Sequence, residues 1–426
     1  MKLVIYGGTI IDPTNKLEAA RDVLIEDSVI RAIDKPGAFL GTGDEGIDAS
    51  GFIVAPGFID MHVHLREPGY EYKETVLTGT QSAVTGGFTT IACMANTNPV
   101  NDNGSVTRYI VEKAQEANLA RVFPIGALSK KLKGEELADI GEMVEAGAVA
   151  ISDDGRPVMD TNLMRRALEY CSMFNLPVSV HEEDLHLAAG GVMNEGPTSL
   201  RLGLKGIPNV AEDVMVARDI ALARLTGGHL HIAHLSTRGA VTLVRQAKAE
   251  GLAVTAEAAP HHFTLTEEAV EGYNTNAKMA PPLRQTEDVE AIKGGLRDGT
   301  IDAIATDHAP HHRDEKEVEF DQAANGIVGL ETALPLTLRL VSAKVLPLSE
   351  AVRKLTVNPA RILGLPYGTL SVGAPADVVI FDPTRKWRVE PGRLRSKSKN
   401  TPFGGWEMTG KVMMTMVGGR VVYDGK

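Results

Sequence analysis

Cysteine is nearly absent from this chain, and its scarcity limits how the fold can be stabilised. The 426 residues include only two cysteines, Cys93 and Cys171. They are too few and too far apart for a disulfide framework or a thiolate zinc site. Any bound metal ion must therefore be held by histidine and carboxylate side chains.

A surplus of positive charge is also lacking, which argues against a nucleic-acid partner. The 44 Lys and Arg residues are outnumbered by 55 Asp and Glu residues, so the formal net charge is −11 at pH 7. Contacts to nucleic-acid phosphates require clustered cations. One basic stretch, 385–399, is interpreted as a solvated loop in preference to a site for an anionic partner.

Long apolar runs are missing as well. No run reaches the roughly 18 apolar residues that a membrane-spanning helix needs. The first twelve residues have the pattern of a strand and a turn, without the basic start, apolar stretch and cleavage site of a signal peptide. We therefore predict a cytoplasmic protein with no membrane partner.

The chain does contain many short apolar runs that alternate with longer helix-like segments. This pattern is typical of repeated βα units and a parallel sheet. An open, doubly wound sheet is the alternative, but no GxGxxG or phosphate-loop signature follows a strand. We predict an α/β protein built on a (β/α)8 barrel of the TIM type, with eight candidate strands at 57–62, 89–94, 121–126, 148–152, 177–181, 229–234, 252–257 and 301–306.

Both ends of the chain contain short strand-like pieces that cannot form a stable sheet alone. They occur at 3–6 and 23–25 and again at 377–381, 412–417 and 420–423. Joining the two ends into one sheet structure solves this problem. We predict a small β-sandwich domain formed by residues 1–54 and 365–426, and a barrel domain formed by residues 55–364.

The most informative motif is the pentad that contains His62 and His64. Side chains two residues apart on a strand share a face, so these two imidazoles can bind one ion, and Arg66 continues that face as a fixed cation. In a βα barrel, the polar residues that end the strands form the active site. They predict a site for two divalent metal ions, whose ligands are His62, His64, Asp154, His181, His234 and Asp307.

Two of these ligand choices remain open at the level of sequence. Asp153 is adjacent to Asp154 and would face the other way on a regular strand, and periodicity does not decide between them. His231 has the alternation expected of the barrel interior, whereas His234 lies where the strand gives way to a loop. We favour Asp154 as the bridging carboxylate and His234 as the ligand.

Several segments together resemble the type I dihydroorotases of the amidohydrolase superfamily, over nearly the whole chain. The segments are 57–66 (GFIDMHVHLR), 94–99 (MANTNP), 152–155 (SDDG), 233–236 (AHLS), 305–311 (ATDHAPH), 326–332 (GIVGLET) and 399–403 (KNTPF). The resemblance departs at Ala280, where close relatives often have an asparagine that contacts the substrate ring. It departs again at Asp154, because many relatives have a carboxylated lysine there.

The resemblance implies two Zn²⁺ per subunit and the reversible cyclisation of N-carbamoyl-L-aspartate to L-dihydroorotate in pyrimidine biosynthesis. His62, His64 and Asp307 would hold one zinc and His181 and His234 the other, with Asp154 and a hydroxide, the nucleophile, between them. Asp307 would also act as general base and then general acid. The residues implied to bind substrate are Arg66, Asn96, His311, Asn325 and Gly326.

The sequence is also compatible with two alternative functions. Dihydropyrimidinases, hydantoinases and allantoinases share the chemistry, but their ring substrates lack the carboxylate that Arg66, Asn96 and His311 would bind. Some dihydroorotase-like chains serve only as structural partners of aspartate transcarbamoylase, after losing metal ligands. We also expect a homo-oligomer, and we interpret the charged stretch 312–324 as a mobile lid in preference to a solvated loop.

Overall fold

A computed structural model describes residues 2–39 and 41–425, and its centre is a barrel of eight parallel strands. Strands that are neighbours in the chain are neighbours in the barrel, and Val63 pairs with His308 to join the last strand to the first. All eight predicted strands are confirmed. Barrel strands 1 to 8 are Phe58–Val63, Phe88–Cys93, Arg121–Ala127, Ala150–Ser152, Val178–Val180, Leu230–Ile232, Val254–Ala258 and Ala303–Ile304.

The helices surround the barrel, and local sequence explains where they begin. Thr161–Ser172, for example, starts after Asp160, whose side chain accepts the N–H groups of Asn162 and Leu163. Such a cap stabilises a helix by about 1 kcal/mol. The main helices are Val76–Thr85, Gly104–Ala117, Ile140–Glu145, Thr161–Ser172, Val210–Thr226, Arg238–Ala249, Thr286–Asp298, Ala333–Ser342, Leu348–Leu355 and Val357–Ile362.

Shorter elements lie in the loops at the rim of the barrel. The α-helical ones are Leu185–Ala188, Pro197–Leu202 and Arg313–Lys316, and the 3₁₀ turns are Lys130–Leu132, Glu267–Val270, Thr275–Ala277 and Pro391–Arg393. Met193–Asn194 pairs with Gly206–Ile207 as a two-stranded ribbon. In the described ranges, which omit residues 1, 40 and 426, no helix has both the length and the apolar character needed to cross a bilayer.

Both ends of the chain form the predicted small β domain, which consists of two sheets. The apolar side chains of Ile5, Ile10, Val54, Val378 and Met416 are buried in one cluster that links the sheets. The four-stranded sheet contains Lys2–Tyr6, Asp22–Glu26, Val29–Asp34 and Glu45–Asp48. The six-stranded sheet contains Thr9–Asp12, Leu17–Ala20, Ile53–Pro56, Val378–Arg388, Glu407–Val417 and Arg420–Asp424.

The predicted domain boundaries, at 54/55 and 364/365, stay a prediction. Ile53–Pro56 belongs to the six-stranded sheet and is followed almost directly by barrel strand 1, Phe58–Val63. The first pair of histidines is therefore placed by a chain segment that is fixed at both ends, by the terminal sheet on one side and the barrel on the other.

One segment of the terminal domain reaches back to the barrel rim. Residues 389–406, which we call the 389–406 connection, join the long strands Val378–Arg388 and Glu407–Val417. The half-buried Glu331 accepts the N–H groups of Arg395 and Ser396 through Oε1. The buried carboxylate of Glu74 accepts the N–H of Lys397 at 3.0 Å. The connection is therefore fixed on the side of the barrel where the strands end.

Candidate metal and substrate site

The six predicted metal ligands come together at the carboxyl ends of the barrel strands. His62 lies in barrel strand 1, and the other ligands lie within about three residues of the ends of strands 1, 4, 5, 6 and 8. Their side chains are all buried. They form two groups that share Asp154: His62 and His64 on one side, and His181 and His234 on the other.

Asp154 lies between the two histidine pairs. Its Oδ1 is 3.5 Å from Nε2 of His62, 3.4 Å from Nε2 of His234 and 3.6 Å from Nδ1 of His181. Its Oδ2 is 3.5 Å from Nε2 of His64. Ligand atoms about 2 Å from a tetrahedral ion lie roughly 3.3 Å from one another. The arrangement is therefore that of a carboxylate able to serve two ions.

Asp307 completes the group on the side of His62 and His64. Its Oδ1 is 3.1 Å from Nε2 of His64 and 3.5 Å from Nε2 of His62. The backbone of Asp307 is left-handed, with φ of +48°, and that of His234 is left-handed at +30°. Such conformations cost about 1 to 3 kcal/mol for residues other than glycine and are concentrated at functional sites.

The structure also distinguishes Asp153 from Asp154, between which the sequence pattern does not decide. Asp153 accepts the backbone N–H of Val158 at 2.8 Å and that of His181 at 2.9 Å, so its oxygens hold loops in place. Burial raises the pKa of Asp153 to about 7. Asp154 alone of the two faces the histidines.

The sequence pattern also leaves open whether His231 or His234 is the metal ligand. Nε2 of His231 lies 3.3 Å from Glu257, and its Nδ1 lies 2.9 Å from Oγ1 of Thr255, so this ring is engaged inside the barrel. Nε2 of His234 instead lies 2.9 Å from Nδ1 of His181. The geometry thus groups His234, and not His231, with the other ligand-type residues.

The strongest indication of a cation comes from the protons of His62 and His64. His62 donates Nδ1–H to Glu257 at 2.6 Å, and His64 donates Nδ1–H to Oδ1 of Asn96 at 2.8 Å. In the neutral rings, each Nε2 then carries a lone pair that points towards the carboxylates of Asp154 and Asp307. His62 Nε2 is buried without a hydrogen-bond partner. Lone pairs facing carboxylates repel unless a cation lies between them, so these residues fit a metal ion.

The pKa shifts in the cluster also indicate that the site requires positive charge. Burial alone would lower the pKa of His62, but the carboxylates of Asp154 and Glu257 raise it well above its ordinary value. Burial would likewise raise the pKa of Asp307, yet His64 and His62 hold it below its ordinary range. The acids are therefore anionic at neutral pH, and the site demands positive charge that metal ions supply in place of protons.

Two supporting acids, Glu257 and Asp60, were missed in the sequence analysis. Glu257 lies one residue before the end of barrel strand 7 and contacts His62 and His231, so the same rule of polar residues near strand ends would have found it. Asp60 accepts the N–H groups of His62 and Thr306 and thereby joins strand 1 to the segment that carries Asp307. Its alternation with His62 on strand 1 is the signal that would have indicated it.

Replacing Glu257 by glutamine is expected to weaken metal binding by about 10- to 100-fold, because the amide no longer fixes the Nδ1–H tautomer of His62. Competition with a chromogenic chelator measures the affinity. The matched control is Glu287→Gln, which removes an exposed carboxylate that pairs with Arg238 on the surface. Equal metal affinity in the two variants would contradict the role given to Glu257.

Arg66 and His311 form a cationic pocket beside the cluster. Nε of Arg66 donates to the carbonyl of Pro310 at 3.1 Å, and its Nη2 lies 3.3 Å from Nε2 of His311. Burial and the neighbouring guanidinium lower the pKa of His311 to about 3, so its ring is neutral. Burial also lowers the pKa of Arg66, although the guanidinium stays charged. A carboxylate entering this pocket would meet one fixed positive charge.

The other predicted substrate residues differ from one another in their burial and their contacts. Asn96 contacts His64, and Gly155, at φ of +90°, passes so close that a Cβ there would lie 2.9 Å from Nδ2 of Asn96. Gly326 is buried, with φ of +124°, and a Cβ on it would lie 2.6 Å from the Cβ of Ala309. Asn325 is exposed. The contributions of Asn96, Asn325 and Gly326 to substrate binding stay predictions.

Comparison with known proteins assigns this site to a family. The model of the amidohydrolase family matches residues 53–422, and the chain belongs to that family. The dihydroorotase of Geotalea daltonii is 58% identical over 99% of both chains. That of Syntrophotalea carbinolica is 56% identical over 99% of both, and that of Syntrophus aciditrophicus is 55% identical over 100% of both. Within the amidohydrolase family, the chain lies among the dihydroorotases.

Solved structures confirm the fold of a barrel with a small β domain. The L-hydantoinase (dihydropyrimidinase) from Arthrobacter aurescens has a TM-score of 0.89 at 26% identity, over 99% of this chain and 96% of that one. A D-hydantoinase (dihydropyrimidinase) from Thermus sp. has a TM-score of 0.84 at 26% identity, over 100% and 96%. The family and the donor set together indicate a metal-dependent hydrolase that acts on a cyclic amide.

Proposed function

We propose that this protein catalyses the reversible cyclisation of N-carbamoyl-L-aspartate to L-dihydroorotate. The observation that carries the proposal is the buried Arg66 in contact with His311, next to a cluster of metal-ligand type. A ring that carries a carboxylate needs such a cation, because a buried unpaired carboxylate is costly. Neutral cyclic amides do not need it. The same conclusion agrees with the full-length similarity to dihydroorotases.

The proposed cofactor is two Zn²⁺ per subunit. His62, His64 and Asp307 would hold one ion and His181 and His234 the other, with Asp154 shared between them. When bound, the ions would lower the pKa of a water molecule so that it is deprotonated near neutral pH, and would polarise the amide carbonyl. A donor set of imidazoles and carboxylates without thiolates suits zinc.

Asp307 is proposed as the general base and acid of the reaction. In the hydrolytic direction it takes a proton from the attacking water and passes it to the ring nitrogen as the amide bond breaks. The neighbouring imidazoles hold the pKa of its carboxyl below the ordinary range, so the carboxylate is unprotonated at neutral pH. Its contact with His64, at 3.1 Å, fixes the orientation of the carboxylate.

Arg66, His311 and Asn96 are proposed to bind the exocyclic carboxylate. A guanidinium offers two parallel N–H donors to a carboxylate, and this fork gives both orientation and binding energy. His311 is held neutral. Its Nε2 faces Nη2 of Arg66 and its Nδ1 lies 3.4 Å from Oε2 of Glu315, so the ring must give up one of these contacts to bond the substrate. Asn325 and Gly326 are proposed to contact the ring. Since the N–H of Gly326 donates to Lys278 and its carbonyl accepts from Lys316, the ring contact of Gly326 stays a prediction.

Reconstitution of the metal-free protein is expected to proceed equally well with and without CO₂. The shared ligand is the ready-made carboxylate of Asp154, and no lysine has to be carboxylated before the ions bind. Activity recovered after adding zinc to apo-protein in CO₂-depleted buffer, compared with bicarbonate buffer, is the measurement. A strict requirement for CO₂ would contradict the role of Asp154.

A panel of four substrates tests the proposed function as a whole. Purified zinc-loaded protein is expected to hydrolyse dihydroorotate far faster than dihydrouracil, hydantoin or allantoin. Only dihydroorotate presents a ring carboxylate to Arg66. Preference for hydantoin or dihydrouracil would instead support the activity named for the structural neighbours, and preference for allantoin would support an allantoinase.

The remaining predictions concern partners and location. We also propose a homo-oligomer, a complex with aspartate transcarbamoylase and a cytoplasmic location. The alternative of a scaffold without activity is disfavoured because all six ligand-type residues are present and clustered. Activity of the isolated chain would exclude that alternative, whereas activity found only with the transcarbamoylase would combine both roles.

A further inference from the structure

The 389–406 connection places one amide side chain, that of Asn400, among the loops of the substrate pocket. Asn400 is buried. Its Oδ1 accepts the backbone N–H of His311 at 3.1 Å. Its Nδ2 donates to the carbonyls of Ala309 and Gly326, each at 3.0 Å. Its own carbonyl accepts the N–H of Val328. One residue thus joins the segment after barrel strand 8 to the segment that contains Gly326.

The bonding pattern of Asn400 is specific to an amide. One side-chain atom must accept and another must donate twice, and among side chains of this size only asparagine provides both. Aspartate would place a carboxylate against two carbonyl oxygens, and leucine would leave the N–H of His311 and the carbonyl of Ala309 without this partner. Each buried group left without its partner is destabilising. The structure around His311 therefore depends on this side chain.

A second buried side chain, that of Lys316, supports the same loop. Nζ of the buried Lys316 donates to the carbonyls of Lys278, Ala324 and Gly326, at 3.3, 2.7 and 3.1 Å. Asn400 and Lys316 thus share the carbonyl of Gly326. Of the two, only Asn400 also bonds the backbone of His311, whose ring contacts Arg66.

We propose that Asn400 is a positioning residue through which the terminal β domain sets the geometry of the carboxylate pocket. By holding the N–H of His311 and the carbonyl of Ala309, it fixes the chain on both sides of Pro310, whose carbonyl accepts from Arg66. Arg66 and His311 therefore keep their mutual position only while the connection is docked. The inference rests on the proposed function, and it assigns to the terminal domain a share in substrate recognition.

The test is the kinetics of dihydroorotate hydrolysis by Asn400→Ala. We expect KM to rise by about tenfold, which corresponds to part of the free energy of the three hydrogen bonds lost, with kcat changed by less than about threefold. Zinc content should equal that of the unmodified protein, because no metal ligand bonds to Asn400. The matched control is Ser398→Ala, which removes from the same connection a hydrogen bond to the carbonyl of Lys73 and should leave KM unchanged.

A double-mutant cycle separates positioning from general destabilisation. If Asn400 acts through His311, Asn400→Ala added to His311→Ala should raise KM by less than about twofold beyond His311→Ala alone. Additive effects, or an unchanged KM in folded Asn400→Ala, would overturn the proposal. If Asn400→Ala does not fold, Asn400→Ser takes its place, because serine is too short to span the three groups and adds no charge beside the carbonyls, and an unchanged KM in that variant overturns the proposal equally. Failure of the proposed function is distinct, because the unmodified protein would then not hydrolyse dihydroorotate.

Discussion

Arg66→Ala should raise KM for dihydroorotate by at least about a hundredfold, because the ring carboxylate would enter a buried pocket without its cation. Losing a partner that is both charged and hydrogen-bonded costs about 3 kcal/mol or more, and each 1.4 kcal/mol corresponds to a factor of ten. His311 cannot compensate, since its ring is neutral. Because Arg66 binds a group remote from the reacting amide, kcat should fall much less than KM rises.

Steady-state kinetics of three variants measure this effect. Arg66→Lys should be intermediate, since it keeps the charge but loses the two-pronged geometry of the guanidinium. Arg245→Ala is the matched control, because it removes an exposed arginine that pairs with Asp298 on the surface. A KM for dihydroorotate in Arg66→Ala equal to that of the unmodified protein would end the assignment of the carboxylate pocket.

Asp307→Asn is expected to lower kcat by about a thousandfold or more. The amide keeps the shape of the carboxylate but cannot take a proton from water, and general-base catalysis contributes about 10² to 10⁴ to the rate. The variant also loses an anionic metal ligand, so zinc content must be measured on the same preparation. A fall in kcat at full zinc content identifies the proton-transfer role and separates it from loss of the ion.

The control for Asp307 is Asp298→Asn, the same substitution at an exposed residue that pairs with Arg245 on the surface. It should retain full activity. Asp307→Asn with more than about a tenth of the unmodified kcat would show that another residue moves the proton. Its contact with His64 would then be explained by metal binding alone.

The barrel was predictable because its strands carry a strong local signal. Barrel strands 1 and 2 are buried on every residue and consist mainly of apolar and threonine side chains, and helix-like segments separate them from their neighbours. The six ligand-type residues were predictable for a related reason. The carboxyl ends of all parallel strands meet at one rim, so polar residues that end apolar runs must converge there.

The choice between Asp153 and Asp154 was not predictable from periodicity. Barrel strand 4 ends at Ser152, so the alternation of a strand no longer governs the two residues that follow. What separates them is contact with other segments: Asp153 bonds the backbone of Val158 and His181. Those contacts depend on how the loops fold back, which no local pattern encodes.

The role of Asn400 was likewise not predictable from the sequence pattern. It is 89 residues from His311 in the chain and lies in the 389–406 connection of the terminal domain. A lone asparagine in a polar loop has the pattern of a turn residue. Only the docked position of the 389–406 connection shows that its side chain spans two loops of the pocket.

Six side chains from five barrel strands are proposed to hold a pair of metal ions. A crystal of the zinc-reconstituted protein, measured on both sides of the zinc absorption edge, tests it most directly. We predict two anomalous peaks, one among His62, His64 and Asp307 and one at His181 and His234, with Asp154 reaching both. A map with no peak at this rim, or with its only zinc bound elsewhere, would contradict the account.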